Sequence, residues 1–403
     1  MLTISPPLSA GQAKDYYTEK FTNPQENYYS ESGEVKGRWY GKLADEWNLK
    51  GEVTSEQYER LVDGQDPHTG EQLIQTVKAR EIIDEYGTKT ITSTHRAAWD
   101  LTFSAPKSVS LAAEVGDDER LINAHPRAVA EAIKHVEEYL QARGGGNNPA
   151  ITTGKMLAAQ FEHTSSRPDR ENGYAAPQLH THFVVFNMTQ TEDGKVRSVQ
   201  SKQLFASQVY GSAIYRAKLT DILQELGYEI RVDPRTGAPE IKGFTEEYLK
   251  EASPRHEEIV NDTEQAIAQL ERAGKTVTNI AKLKQTVARN NRRSKSFDRE
   301  LMHTRDLEMD VRHDYQAQRF VAQARERGPI RLDRDEIERR AQEAVTFARD
   351  QAMERTAVAD VRDVWSNAYR RNLGRTTYEA VRDEFSRRLE SGEFISITRD
   401  HRT

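Results

Sequence analysis

Not one cysteine occurs in the 403 residues, and that absence removes disulfide scaffolds, thiolate zinc sites, iron–sulfur clusters and cysteine nucleophiles together. Any metal must sit on His, Asp or Glu. Long apolar runs are missing as well. Hydrophobic residues make up 36% and mean hydropathy is -0.83, so no stretch approaches the ~18–20 apolar residues of a membrane span. No membrane insertion is expected. The start, Met1-Leu2-Thr3-Ile4-Ser5-Pro6-Pro7, has neither a basic segment nor a long apolar one, which points to a cytoplasmic protein. An excess of one charge is lacking too: 58 basic and 64 acidic residues leave a net charge of -6, against indiscriminate coating of nucleic acid. A local field escapes that average. Between Arg272 and Ser296 stand eight basic residues, among them Lys282, Lys284, Arg289, Arg292, Arg293 and Lys295, and no acid, a pattern that suits either a solvated helix face or a groove for phosphates.

Along the chain, Leu2–Ser5 reads as a short strand, and Ser9 with Gln12 has the spacing of a capping box, so a helix carrying Tyr16 and Tyr17 begins near Ala10. Tyr28 and Tyr29 follow in a polar, glycine-punctuated stretch, with a further helix at Ser55–Leu61. Trp99, Leu101 and Phe103 alternate with Asp100 and Thr102, the period of a half-buried strand that turns Asp100 away from the apolar face. A helix is expected after Pro106, another after Pro126, then two strands over Ile151–His163 and Gln178–Thr189, plausibly antiparallel. A short strand at Val196–Val199, a long helix over Leu204–Leu226 and a hairpin around Asp233–Gly237 come next. From about residue 244 the pattern is helical. Lysine disappears after Lys295, and residues 301–403 balance twenty arginines against twenty acids, which suggests a boundary near 300. Within that tail, Thr376 to Glu379 has capping-box spacing, and the helix, Gly392 and the run Phe394–Ile397 would suit a small winged-helix-like unit.

His180-Thr181-His182 lies in mid-strand, where alternation sends both imidazoles to one side. His163 closes the preceding strand, and antiparallel pairing through the 164–178 loop could set a third imidazole beside them. Three neutral nitrogens leave positions open on an ion, as in a catalytic rather than a closed structural site. Asp100, on the polar face of a neighbouring strand, has the character of a carboxylate that fixes a ligand's tautomer. Spacing alone leaves an ordinary pair of strand histidines as open as a metal site, and paired tyrosines more often anchor a helix than attack a phosphate.

Taken together, Tyr16-Tyr17, Tyr28-Tyr29, the run from Asp100 through Pro106-Lys107 to Ser110, Phe161-Glu162-His163-Thr164 and Gln178-Leu179-His180-Thr181-His182 resemble the relaxase domain of conjugative plasmids. That is the TraI/TrwC-type (MobF) class of three-histidine, His-hydrophobic-His endonucleases. The resemblance covers roughly residues 1 to 245 and implies an α+β fold, a central antiparallel β-sheet flanked by helices, with a helical C-terminal extension. It implies that His163, His180 and His182 hold one Mg2+ or Mn2+ and that Tyr16 is the first nucleophile. Asp100 would orient a histidine or take the tyrosine proton, and Tyr28 would act in a second strand transfer, with Tyr17 and Tyr29 as weaker candidates. The expected reaction is strand-specific nicking and transfer of single-stranded DNA at a transfer origin with an adjacent hairpin, through a 5′-phosphotyrosine adduct. Lys107 and the basic stretch Lys282–Lys295 are candidates for phosphate contacts. Accessory conjugation proteins and a coupling protein are expected partners in the bacterial cytoplasm. Thr181 departs from the family's pattern, since it fills the nominally hydrophobic slot.

The same resemblance divides the chain into a catalytic domain over 1–270, a basic clamp and linker over 271–325, and the start of a helicase-type region over 326–403. No ATPase motor is expected: Gly274-Lys275-Thr276 mimics the end of a P-loop, but Gln269 occupies the required first glycine. His256-Glu257 lacks a second histidine, since Val260 fills that place. The chain reads either as an N-terminal fragment or as a relaxase without its motor. Two readings of other classes stand beside the nickase. A metal-dependent hydrolase would turn over without a covalent adduct, and a non-catalytic DNA-binding module would bind regardless of metal.

Overall fold

The computed structural model describes residues 1–20, 36–75, 80–83, 89–92, 96–291, 298–354 and 356–397. At its centre lie five antiparallel strands: β1 (Leu2–Ile4), β2 (Arg38–Tyr40), β3 (Ala98–Ser104), β4 (Ala158–Ser165) and β5 (Pro177–Phe186), in the order β1-β3-β5-β4-β2. β5 is the middle strand. Its register sets Thr102 opposite His182 and Ser104 opposite His180 on one side, and Phe161 opposite His182 and His163 opposite His180 on the other.

Alternation divides the sheet into two faces. On one, Leu2, Ile4, Trp99, Leu101, Phe103, Phe183 and Val185 join the larger core, under two long helices, Glu119–Glu137 and Gln208–Glu225. On the other, Ala98, Ala159, Phe161, Val184 and Phe186 join a smaller core with Tyr58, Leu61 and Val62 of helix Ser55–Val62 and with Ala13 of α1 (Ala10–Lys20). α1 starts at the expected capping box: Gln12 N–H donates to Ser9 Oγ at 3.3 Å, and Ser9 N–H to Gln12 Oε1 at 3.1 Å. The Tyr58 hydroxyl donates to the Ala13 carbonyl at 3.1 Å and ties α1 down over this second face.

Several sequence expectations are corrected in detail. The helix expected after Pro126 starts at Glu119, capped by Asp118, and contains the proline. The long helix over Leu204–Leu226 breaks at Ser207, where the Arg362 guanidinium donates to the Gln203 carbonyl at 3.2 Å and to Ser207 Oγ at 3.0 Å. In the tail the capping residue is Thr377, whose side chain accepts from Ala380 N–H, while the Thr376 hydroxyl donates to the Ile337 carbonyl. Phe394–Ile397 forms no strand.

The change of composition near 300 has no matching gap in the packing. Tyr174 OH donates to Asp306, Ile330 N–H to the Gln224 carbonyl at 2.9 Å, and Tyr378 N–H to Asp221 Oδ2 at 2.7 Å. Phe385, Val381 and Tyr378 share the larger core with the sheet. Among the described residues no helix is long and apolar enough to cross a membrane.

Candidate metal centre and nuclease site

The metal-ligand candidates meet because β4 and β5 pair with His163 opposite His180, and because residues 180 and 182 share a face. Ring centroids of His163 and His180 are 5.0 Å apart, those of His180 and His182 5.0 Å, and those of His163 and His182 5.3 Å. The three offer ring nitrogens that all lie within 4.8 Å of one another. At a nitrogen–metal distance of about 2.1 Å, tetrahedrally placed donors on one ion stand about 3.4 Å apart, so the rings must draw together by about 1 Å to close the set. The trio fits a divalent ion. His163 and His182 are buried and His180 is half-buried.

Hydrogen bonds on the far side of two rings fix which nitrogen faces the others. His182 Nδ1 lies 2.8 Å from Asp100 Oδ1, and a carboxylate only accepts, so Nδ1 carries the proton and Nε2 the lone pair. His180 Nδ1 lies 2.8 Å from the Gln178 carbonyl, with the same consequence. Asp100 is itself buried on the sheet's second face, where Ser5 Oγ accepts its backbone N–H at 2.9 Å. Thr102, which the sequence candidates omitted, lies 3.0 Å from His182 Nδ1 and donates to Asp100 Oδ1 at 3.3 Å. Its position two residues beyond Asp100 on the same strand face was the available signal. His125 was also missed; it lies behind β5, 3.1 Å from Thr181 Oγ1, and a lone histidine in an amphipathic helix carries no signal of that contact.

Tyr16 and Tyr17 lie in the C-terminal half of α1, three and four residues beyond buried Ala13. Their helix covers the same sheet face that carries the histidines. Tyr28 and Tyr29 fall outside the described residues. Lys107 opens the helix Lys107–Glu114, where its half-buried ammonium donates to the Pro177 carbonyl at 2.7 Å. Burial pushes its pKa down to about 8, against the opposing pull of Asp306 and Glu240. One of its three donors is thus committed inside the fold.

Of the basic stretch, Lys282, Lys284 and Arg289 lie on the helix Ile280–Asn290, with Lys284 half-buried. Arg292, Arg293 and Lys295 fall outside the described residues. This helix pairs with the longer helix Pro254–Arg272, and the Arg255 guanidinium donates to the Asn291 carbonyl at 2.8 Å. Arg170, in the loop between β4 and β5, meets Asp262 at 2.7 Å and Glu258 at 3.1 Å. The helical pair therefore docks on the loop that joins the two histidine strands.

Comparison with known proteins agrees with this geometry. The TrwC relaxase family model matches residues 10–312. The multifunctional conjugation protein TraI of Escherichia coli K12 is 35% identical over 273 residues, which are 65% of this chain and 14% of TraI. The chain thus spans about one seventh of that relative's length. Among solved structures, the conjugative relaxase TrwC in complex with oriT DNA, in a metal-bound form, superposes with a TM-score of 0.59 at 29% identity, covering 78% of this chain and 99% of that one. TrwC complexed with a 27-mer DNA comprising the recognition hairpin and the cleavage site gives 0.57 at 29% identity, over 77% and 98%. With a fold of five antiparallel strands between helices and three convergent histidines, the chain belongs to the TrwC relaxase family.

Proposed function

We propose that this chain nicks one strand of DNA at a plasmid transfer origin and passes it on by transesterification, to initiate conjugative transfer. The observation that carries the reading is the convergence of His163, His180 and His182 with Asp100 behind His182. His163, His180 and His182 would hold a divalent ion, Mg2+ or Mn2+, which when bound would supply positive charge to the scissile phosphate, worth several kcal/mol at the transition state. Tyr16 is the first nucleophile. Its phenolic oxygen bonds to phosphorus as the bond to the 3′ oxygen breaks, leaving a 5′-phosphotyrosine and a free 3′-hydroxyl. One ester replaces another, so the step is reversible and consumes no nucleotide. Asp100, already committed to His182, serves orientation better than proton removal, and Tyr28 acts in the second transfer.

The substrate is single-stranded DNA beside a hairpin, like the oligonucleotide in the TrwC complex. Lys284 and the other bases of the 282–295 stretch contact phosphates, with binding that weakens as salt rises. Residues 1–270 carry the catalysis, 271–325 the clamp and linker, and 326–403 the beginning of a helicase-type region. Accessory conjugation proteins and a coupling protein in the bacterial cytoplasm complete the setting.

The test is incubation with candidate origin oligonucleotides and Mn2+, followed by denaturing gels. A protein–DNA adduct is expected from the wild type and none from Tyr16→Phe, which keeps the ring and loses the nucleophile. Strand cutting without any adduct would replace the relaxase with a hydrolase that uses water.

A further inference from the structure

Behind the metal strand runs a buried polar line that the nicking chemistry does not use. Thr181 stands between the two histidine ligands of β5 but faces the larger core and is fully buried. Its hydroxyl lies 3.1 Å from His125 Nε2, and His125 Nδ1 lies 2.8 Å from Tyr215 OH. Both partners are buried. They come from the two long helices under the sheet, His125 from Glu119–Glu137 and Tyr215 from Gln208–Glu225. Phe103, opposite Thr181 in the register, packs against Tyr215 with centroids 5.7 Å apart.

A valine would fill the Thr181 site with the same branching and no polar atom, and apolar neighbours surround it. A buried donor or acceptor left unpaired is costly, so Thr181 and His125 are tolerable only together. What the pair adds is direction. An apolar contact permits a strand to tilt or slip by a few tenths of an ångström, whereas a hydrogen bond from a ring that is itself held at its other nitrogen fixes one position.

We propose that His125, held by Tyr215, is a positioning residue for the metal centre: through Thr181 it fixes the strand segment whose two neighbouring residues, His180 and His182, present their rings to one ion. This rests on the metal-site reading of the histidines. Burial pushes the His125 pKa down to about 3, with a smaller contribution from the N-terminal amine. The ring therefore stays neutral at any pH used for nicking, with one N–H and one lone pair for its two hydroxyl partners.

The test uses the full chain and Mn2+, whose binding is followed by electron paramagnetic resonance and whose effect on nicking is titrated in parallel. Thr181→Val is expected to raise the Mn2+ dissociation constant about tenfold, no more than the low end of what losing a group bonded directly to a ligand costs, while excess Mn2+ restores the maximal nicking rate. Thr181→Ser, which keeps the hydroxyl, should stay within about twofold of wild type in affinity. The triple variant Thr181→Val/His125→Leu/Tyr215→Phe removes the whole polar line, including the Tyr215 hydroxyl that His125 satisfies, and should regain thermal stability relative to Thr181→Val without regaining Mn2+ affinity. That split separates positioning from mere packing. Unchanged Mn2+ affinity in Thr181→Val and in the triple variant would overturn the inference while leaving the metal site intact. Absence of Mn2+ binding in the wild type would overturn the metal-site reading itself.

Discussion

Along β5 the odd and even residues lead different lives. Leu179, Thr181, Phe183 and Val185 all enter the larger core beneath two long helices, whereas His180, His182, Val184 and Phe186 pass from ligand to core within one strand face. The first face is sealed along its length. Among the described residues, the second is apolar where α1 and the Ser55–Val62 helix cover it, and polar around the histidines. A closed, well-packed face has little freedom to relax, so it can hold its reverse side still. Three imidazoles within 4.8 Å need that support, because each must give up water and keep one orientation.

The sharpest way to break the comparison is to remove one ligand and leave the packing alone. His180→Ala takes a half-buried ring from the open face without touching the sealed one. Nicking of an origin oligonucleotide should fall by about a hundred- to a thousandfold, the scale on which loss of a transition-state electrostatic contact is felt. DNA binding, read by fluorescence anisotropy, should stay near wild type. Equal losses of both would mean that the histidine holds the fold and not the ion. On the sealed face, Phe183→Ala removes a ring packed edge-on to Tyr40 at 5.1 Å and to Phe103 at 6.2 Å. It should cost about 3–5 kcal/mol in chemical denaturation. The metal affinity of the fraction that remains folded should drop with it if the two faces are mechanically linked.

Asp100→Asn sits between these extremes. The side chain keeps its size and an oxygen 2.8 Å from His182, but loses the charge that secures the Nδ1 proton. Metal affinity is expected to weaken about 10- to 100-fold, with the thermal midpoint nearly unmoved. A large fall in the midpoint with unchanged metal affinity would assign Asp100 to the fold instead.

How much of this could be read from sequence follows from range. The capping box at Ser9–Gln12, the strand over Asp100 and the hairpin at Asp233–Gly237 are local patterns, and each appears where its residues indicate. The histidine pair was legible because a two-residue period fixes a face. His163 needed one further step, the pairing of β4 with β5, which the loop between them made plausible. Contacts between distant helices carry no such signature. The contact of Arg362 with Ser207, 155 positions away, falls where the expected helix is interrupted, and nothing local in the sequence announces it. Likewise the composition of the tail changes near 300 while Asp306 and Met302 still pack on the 166–176 loop, since charge bias reports on the surface and not on what lies beneath it.

That loop supplies the smallest effect and a test of how the two regions are joined. Asp306 accepts from Tyr174 OH at the root of the loop between the histidine strands. Burial pushes its pKa up to about 7, against the opposing hydrogen bond from Tyr174 and the charge of Lys107. An unfolded chain releases that proton near ~3.9. Between the two values the folded state holds more protons than the unfolded one, so this group's contribution is complete below about pH 4 and is lost as pH rises through about 7. Glu114, pushed up to about 8 by burial and then by Asp306, acts in the same direction. The Lys107 pKa of about 8 is depressed, so its influence has the opposite sign and begins only above that pH. Asp306→Asn cannot titrate but still offers Tyr174 an oxygen. The variant should therefore lose less stability than wild type between pH 5 and pH 7.5, with a difference of about 2 °C or more in the change of thermal midpoint. An identical pH slope in the two proteins would mean that Asp306 is charged across this range, and that the loop is held to the C-terminal helices by an ordinary surface-like contact.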